Sequence, residues 1–487
     1  MSRKRLHPLH ILFSLLKGVR EMLFPFIAVI LFGQSIWVLW GVLAVVVIGL
    51  LTSVIGWWRF TYAVEDAQLH ITQGLIIRKN RYISREKIHS LDISQNILHQ
   101  WFNLVKLQIE TAGGKDEAEA VLSAISKNEA ELLQQLLAPN KTGDRSADAL
   151  FESAGNDVSS SEARWYMSRK MMWLMAATSG GVGVVVSGIF VFLSQFDEML
   201  SSTVADQAFE YVLSLGFVLI GVFAFILLIV LYLVAMIVTL LKYARFTLSK
   251  TSEQIKISRG LLNKRQRTID LSKIQAVRVQ QNLIRQWLGV ATVYVESAGS
   301  AKEETGFSTI IAPLLPVSEV PEVLERMLPD YIVAEDSWTR SPKRARIRYL
   351  IRASWIWVIV AATLSAVLYP FGLLAWLVVA GTLVFGFREH QVAAVRTTEK
   401  HLLFRYHNWS KHTVIVKKQH MQTYEIKRTL LQRKARLAHL SFSIMAGSGG
   451  KTFQVKDMEI DVAESQYDWF SKECPVLIAQ PLGEEHQ

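Results

Sequence analysis

The sequence predicts a membrane protein of the α plus β class, with six transmembrane helices in three hairpins, each hairpin followed by a cytoplasmic β-rich domain that a helix closes. Three observations predict it. Of 487 residues 51% are hydrophobic and the mean hydropathy is +0.25, too apolar for a soluble chain of this size unless the apolar residues collect in spans. They do collect: residues 22–58, 171–196, 211–241 and 353–387 hold no charged residue. Between these runs, residues 59–113 match 245–299 without a gap at an offset of 186, and 18 of the 55 positions are identical. A fixed period of this kind marks a repeat architecture.

Residues 1–58 are expected to form the first hairpin, with helices over 15–34 and 36–57 broken at Gly33-Gln34-Ser35. The 37 residues of the uncharged run suffice for two spans at about 20 each. Residues 59–138 form the first domain. Leu69 and Ile71, then Leu104, Leu107 and Ile109, alternate as strands do, and 121–137 reads as an amphipathic closing helix. Residues 139–168, with Pro139, Gly143, Gly155 and Ser159-Ser160-Ser161, read as a flexible linker. The second hairpin is 169–241 and the second domain 242–329, with Pro321 in the first turn of its closing helix. A basic linker, 330–348, leads to the third hairpin, 349–387, broken at Tyr369-Pro370-Phe371-Gly372. Residues 388–473 are expected to be a divergent third domain and 474–487 a tail. That domain keeps Ala446-Gly447 and a closing helix at 457–470, but lacks the Gln-Trp pair and the early glycine of the other two.

Charge asymmetry sets the orientation. The 197–210 loop carries Asp197, Glu198, Asp206 and Glu210 and no Lys or Arg, and the other two hairpin turns are uncharged. The positive-inside rule then predicts both termini and all three domains in the cytoplasm. A net charge of +11 suits an anionic membrane surface. The single cysteine, Cys474, excludes an internal disulfide framework.

Two constellations recur. The first is Gln95, Asn96, Gln100, Trp101, Glu110 and Gly113, repeated as Gln281, Asn282, Gln286, Trp287, Glu296 and Gly299. It reads as a folded corner: the tryptophan fills the barrel, the amides satisfy backbone groups, and the glutamate caps a turn or pairs with a base. The second is Arg78, Lys79 and Arg81, repeated as Lys264, Arg265 and Arg267. They follow by four residues the turn that Gly74 and Gly260 suggest, and a loop between two strands there could hold these cations against anionic headgroups, at about 1 kcal/mol each. Catalytic motifs are not found. The densest histidines, His401, His407, His412 and His420, fit no metal-ligand spacing, and Gly447-Ser448-Gly449-Gly450-Lys451 lacks Walker spacing. The uncharged runs offer no ion-relay group. The expectation is a non-enzyme with no cofactor, no metal and no nucleic-acid partner.

The sequence pattern resembles a known family. Aromatic-Thr, Gly-Leu-Ile or Gly-Leu-Leu, Lys-Ile, Gln-Asn…Gln-Trp and Glu-Thr/Ser-Ala-Gly, directly after a helix hairpin, are similar to the bacterial pleckstrin-homology (PH)-like membrane proteins of the YdbS/YdbT type. The resemblance implies that each domain is a PH-like sandwich or barrel of two antiparallel sheets with a C-terminal helix, in a multi-pass protein of the bacterial cytoplasmic membrane. The leading functional expectation is display of three such domains for lipid-headgroup or protein binding. Expected partners are anionic lipids and a second membrane protein of the same family or a second copy. The competing expectation is a component of a transport, export or antimicrobial-peptide resistance system.

Overall fold

A computed structural model describes residues 3–15, 18, 36–65, 68–74, 77–111, 120–137, 163–179, 217–298, 308–333, 337–446 and 450–471. The strands are β1 Thr61–Glu65, β2 Gln68–Gln73, β3 Lys79–Ser84, β4 Ile88–Gln95, β5 Leu104–Thr111, β6 Ala120–Ser126, β7 Ala163–Tyr166, β8 Thr247–Lys250, β9 Gln254–Arg259 and β10 Lys264–Asp270. They continue as β11 Ile274–Asn282, β12 Val290–Ser297, β13 Ser308–Pro316, β14 Thr339–Arg340, β15 Ala394–Thr397, β16 His401–His407, β17 Ser410–Lys417, β18 Met421–Lys427, β19 Leu437–Ile444 and β20 Lys451–Glu459. The α-helices are α1 Ile36–Arg59, α2 Ile97–Trp101, α3 Lys127–Leu137, α4 Arg169–Thr178, α5 Phe217–Tyr243, α6 Leu283–Trp287, α7 Val320–Met327, α8 Arg346–Val367, α9 Ala375–Val392, α10 Leu430–Lys434 and α11 Ile460–Ser471.

One element order occurs three times: three strands, a 3-10 turn, a strand, a five-residue helix, two strands and a closing helix. Sequence periodicity predicted the closing helices but misplaced the start of the first. Residues 120–126 are β6, and α3 begins only at Lys127. The alternation Ala120, Leu122, Ala124 is buried, and a period-2 run sits better as a strand than as a helix.

The chain divides into two units. The first holds Met1–Lys273 and the second holds Ile274–Ala298 and Pro316–Gln487, with β13 divided between them. The first unit contains the three-stranded sheet β1-β2-β3 and the seven-stranded sheet β6-β5-β4-β10-β9-β8-β7. The second contains the seven-stranded sheet β13-β12-β11-β17-β16-β15-β14 and the three-stranded sheet β18-β19-β20. Each seven-stranded sheet therefore joins two successive repeats. In the first, β4 pairs antiparallel with β10, Asp92 opposite Arg267. In the second, β11 pairs antiparallel with β17, Arg278 opposite Val414. The sequence reading placed the domain limits at the linkers; strands from either side of those linkers share a sheet.

The linkers also add strands. The expected flexible linker 139–168 lies outside the described residues up to 162, and its end, β7, pairs with β8. In the basic linker, β14 pairs with β15, and near the N-terminus Lys4 bridges Tyr62. Each time, the segment before a hairpin is stitched to the first strand after it, and the hairpin is closed at its base.

Packing explains the rest of each unit. In the first, Leu69, Ile71 and Ile83 of one sheet meet Leu91, Leu107, Ile109 and Leu122 of the other, with Leu133 and Leu137 of α3. In the second, Phe404 stands edge-on to Phe442 at 4.8 Å, and Phe442 meets Phe453 at 5.3 Å, within a core that Ile460 and Ala463 of α11 help to close. Gly260 has φ +99°, and a Cβ there would lie 2.1 Å from the Asn263 carbonyl oxygen; Gly74 repeats this conformation. The third repeat needs no glycine, because His407 stays extended and pairs with Lys411 at that point.

Two stretches among the described residues, Lys343–Val367 and Gly372–Val392, are helices long and apolar enough to cross a membrane, against six expected. The 22 residues of α8 rise about 33 Å, close to the hydrocarbon thickness. The helices α1 and α5 are also apolar and run 24 and 27 residues. Of the expected span 15–34 only residues 15 and 18 are described, and residues 180–216 lie outside the described residues. At the base of the third hairpin Gly386 lets α9 approach α8: a Cβ would meet the Tyr349 carbonyl at 2.8 Å.

Candidate functional site

The repeated corner is built where β4 or β11 ends. Asn282 caps α6 by accepting a hydrogen bond from the Arg285 amide at 2.8 Å. Gln95 Nε2 donates to the Leu104 carbonyl at 3.0 Å, and Gln281 Nε2 to the Val290 carbonyl at 3.1 Å. Gln100 and Gln286 donate back to the Gln95 and Gln281 carbonyls at 3.3 and 3.2 Å. Gln100 and Gln286 also reach the following repeat. Gln100 Nε2 donates to the Leu262 carbonyl at 2.8 Å, and Gln286 Nε2 lies 3.3 Å from His407 Nε2. The first contact lands on the turn before β10 and the second on His407, the last residue of β16. Asn96, the residue before α2, is exposed and makes no capping bond. The expectation that the tryptophan fills the barrel is corrected: Trp101 is 75% exposed and Trp287 85%. A five-residue helix turns its last side chain outward, and aliphatic residues of the strands occupy the core instead.

The two glutamates sit inside the shared sheets. Arg267 Nη2 donates to Glu110 Oε2 at 2.6 Å, and the Ser90 hydroxyl donates to the same oxygen. Arg278 Nε donates to Glu296 Oε1 at 2.9 Å and Lys451 Nζ to the same oxygen at 2.8 Å, while Ser308 Oγ donates to Oε2 at 2.8 Å. Glu296 is fully buried. Burial opposes its ionisation, but the charges of Arg278 and Lys451 outweigh burial and hold its carboxyl below the ordinary range. Burial pulls Lys451 down, against the attraction of Glu296. His412 lies 3.5 Å from Arg278, and burial, then Arg278 and Lys451, push it down to about 3. Sequence reading identified both glutamates and missed Ser90, Arg278, Ser308 and Lys451. In the first repeat the cation comes from the next repeat's β10. In the second it comes from β11 and from the first residue of β20. No common spacing marks these positions.

The basic sextet divides. Arg78 is exposed just before β3, and Lys79 and Arg81 are in β3. Lys264, Arg265 and Arg267 are in β10 rather than in a loop. Arg267 is 5% exposed and held by Glu110, so it is a buried sheet residue and not a headgroup contact. Lys264 is exposed and Arg265 half-buried. Gly113 and Gly299 lie outside the described residues.

A cleft of 850 Å³ in the second unit lies at the base of the third hairpin, lined by Trp287, Trp357, Phe385, Arg388, Trp409 and Lys456 among others. Arg352 of α8 ties its wall together, reaching Asp457 at 2.8 Å and Glu389 at 3.8 Å. The lining combines apolar helix residues with the cations Arg352, Arg388 and Lys456, the mixed chemistry that an amphipathic ligand requires. Among the described residues no group of three His, Cys, Asp or Glu is placed to hold a metal ion. His401, His407 and His420 instead lie within hydrogen-bond distance of the Asp330 carbonyl, the Gln286 amide and the Gln275 carbonyl.

The model of the bacterial PH domain matches three times, over residues 12–141, 207–330 and 355–473. The chain belongs to the bacterial PH domain family. The third match includes the repeat that lacks the Gln-Trp pair. The chain is also 33% identical over 485 residues to UPF0699 transmembrane protein YdbT of Bacillus subtilis (strain 168), an alignment covering 96% of this chain and 98% of the relative. With its apolar helices, the chain is a membrane protein carrying bacterial PH domains.

Proposed function

We propose a non-enzymatic, six-span protein of the bacterial cytoplasmic membrane, with both termini inside, that displays three PH-like domains as one linked platform for lipid headgroups or a protein partner. The observation that carries this reading is the sheet shared between successive repeats, closed around a buried glutamate–arginine pair in each unit. Such a sheet fixes neighbouring domains together, and a binding platform tethered at the bilayer needs that rigidity. Charge asymmetry of the loops and the transmembrane relative support the orientation and location. Lys264, Arg265, Arg78 and the cleft cations Arg388 and Lys456 are the proposed contacts for anionic headgroups. Pull-down of the full chain from native membranes, followed by mass spectrometry, is expected to recover anionic lipid or a partner protein. The purified chain in vesicles is expected to leave entrapped dye and labelled cationic peptide in place. Time-dependent flux of either would overturn the platform reading in favour of transport.

A further inference from the structure

The exposed tryptophans of the repeated corner have a shared setting. In the first unit, Ile97, Trp101 and Phe102 stand exposed on and beside α2. Gln100 fastens that helix to the turn carrying exposed Leu261 and Leu262. This turn hangs directly from the apolar helix α5, since the Leu261 amide donates to the Leu241 carbonyl at 3.0 Å and the Gly260 amide to the Ala244 carbonyl at 2.8 Å. In the second unit, Leu283, Ile284 and Trp287 stand exposed on α6. Gln286 fastens that helix to His407, beside Trp409, which is 84% exposed. Phe385 of the apolar helix α9 packs on both His407, at 5.3 Å, and Trp409, at 5.5 Å. Each junction thus presents exposed apolar and aromatic side chains beside the C-terminal part of an apolar helix. Cations rim them: Lys264 and Arg265 in the first unit, Arg388 and Lys411 in the second.

We infer that these two patches are interfacial anchors, inserting Trp101 and Trp287 into the headgroup–acyl boundary of the leaflet on the domain side, with the rim cations on anionic headgroups. Three physical facts require this occupant. Patches of large apolar side chains on a domain are rarely left to water. Tryptophan prefers the membrane–water interface, where an apolar ring and a wet N–H are both satisfied. The short, direct connection to α5 and α9 leaves the patch at the depth where those helices leave the hydrocarbon. Motif and membrane also share a logic. The amide that clips one repeat to the next holds the corner helix at that depth, and the third repeat carries Arg433 in its place.

The inference rests on the proposed membrane platform, and its test is separable from that reading. Full-length chain carrying Cys474→Ser and either Trp101→Cys or Trp287→Cys is spin-labelled. It is then placed one chain per nanodisc, with and without anionic lipid. Arg326→Cys, on the exposed face of α7, serves as the aqueous reference. Labels at 101 and 287 are expected to lose access to a water-soluble relaxation agent and gain access to oxygen, while 326 keeps its aqueous access. Labels at Leu262 and Leu283, placed in the same way, keep the test decisive if a tryptophan variant fails to fold. Aqueous access at all four positions overturns the inference. So does shielding seen only when two chains share a disc, because a second copy then covers the patch. Depth is read regardless of side, whereas reporter fusions read side, so either can fail alone.

Discussion

At the residue scale, the buried carboxylates decide how much the junctions contribute to stability. Removing one member of a buried pair leaves an uncompensated charge and typically costs about 3–5 kcal/mol. Glu296→Ala strands Arg278 and Lys451 and is expected to lower the unfolding free energy by about that amount, read by denaturant titration of the detergent-solubilised chain. Exposed pairs such as Glu322–Arg326 should cost less than about 1 kcal/mol when broken. The pH dependence has a definite sign. Folded His412 stays neutral down to about pH 3, while the unfolded chain binds that proton near pH 6.5. The unfolded state therefore holds more protons in that window, and stability falls as pH drops from about 6.5. Glu296, held below its ordinary range, adds a second loss as pH falls through its folded value, below the unfolded value of about 4.3. His412→Gln should flatten the first limb of the stability–pH curve and leave the second.

At the element scale, β10 shows why a charge run does not define a surface. Burial depends on what packs over each position of the shared sheet, so within Lys264-Arg265-Gln266-Arg267 exposure falls from Lys264, through half-buried Arg265 and Gln266, to the buried Arg267 that meets Glu110. Changing Lys264 and Arg265 together to Gln should weaken vesicle binding of the full chain by about thirtyfold, at roughly 1 kcal/mol per cation, and leave its thermal midpoint unchanged. Arg267→Gln should do the reverse, lowering the midpoint through Glu110. The turn before β10 is equally specific. Gly260→Ala forces a Cβ to 2.1 Å from the Asn263 oxygen at φ +99°; unfolding should become easier by more than about 1 kcal/mol.

At the scale of the whole molecule, the repeats form linked domains rather than three independent ones, and the hairpins enter between strands that pair at their base. Reporter fusions at Gln34, Ala205 and Phe371 are expected to read as external, and fusions near Asn140 and Gln487 as internal. A cytoplasmic signal at Ala205 would overturn the orientation, because that loop separates the two helices of the second hairpin.

The sequence alone determined the repeat and the membership it implies, because 18 of 55 identities survive wherever a turn, a cap or a core contact recurs in the same local frame. It also determined the apolar helices, since the length of an uncharged run is a local property. Local frames include Gln95 and Gln281, whose acceptors are nine residues away. Only the tertiary structure decided which strand of one repeat pairs with which strand of the next, and therefore that Arg267 is buried and that Glu296 meets Lys451 across 155 residues. Strand pairing depends on edges brought together in space, and an edge leaves no period in the sequence. The tryptophans show the same divide. Their recurrence was legible, but their exposure was not, because a large apolar ring reads identically whether it meets a core or a bilayer.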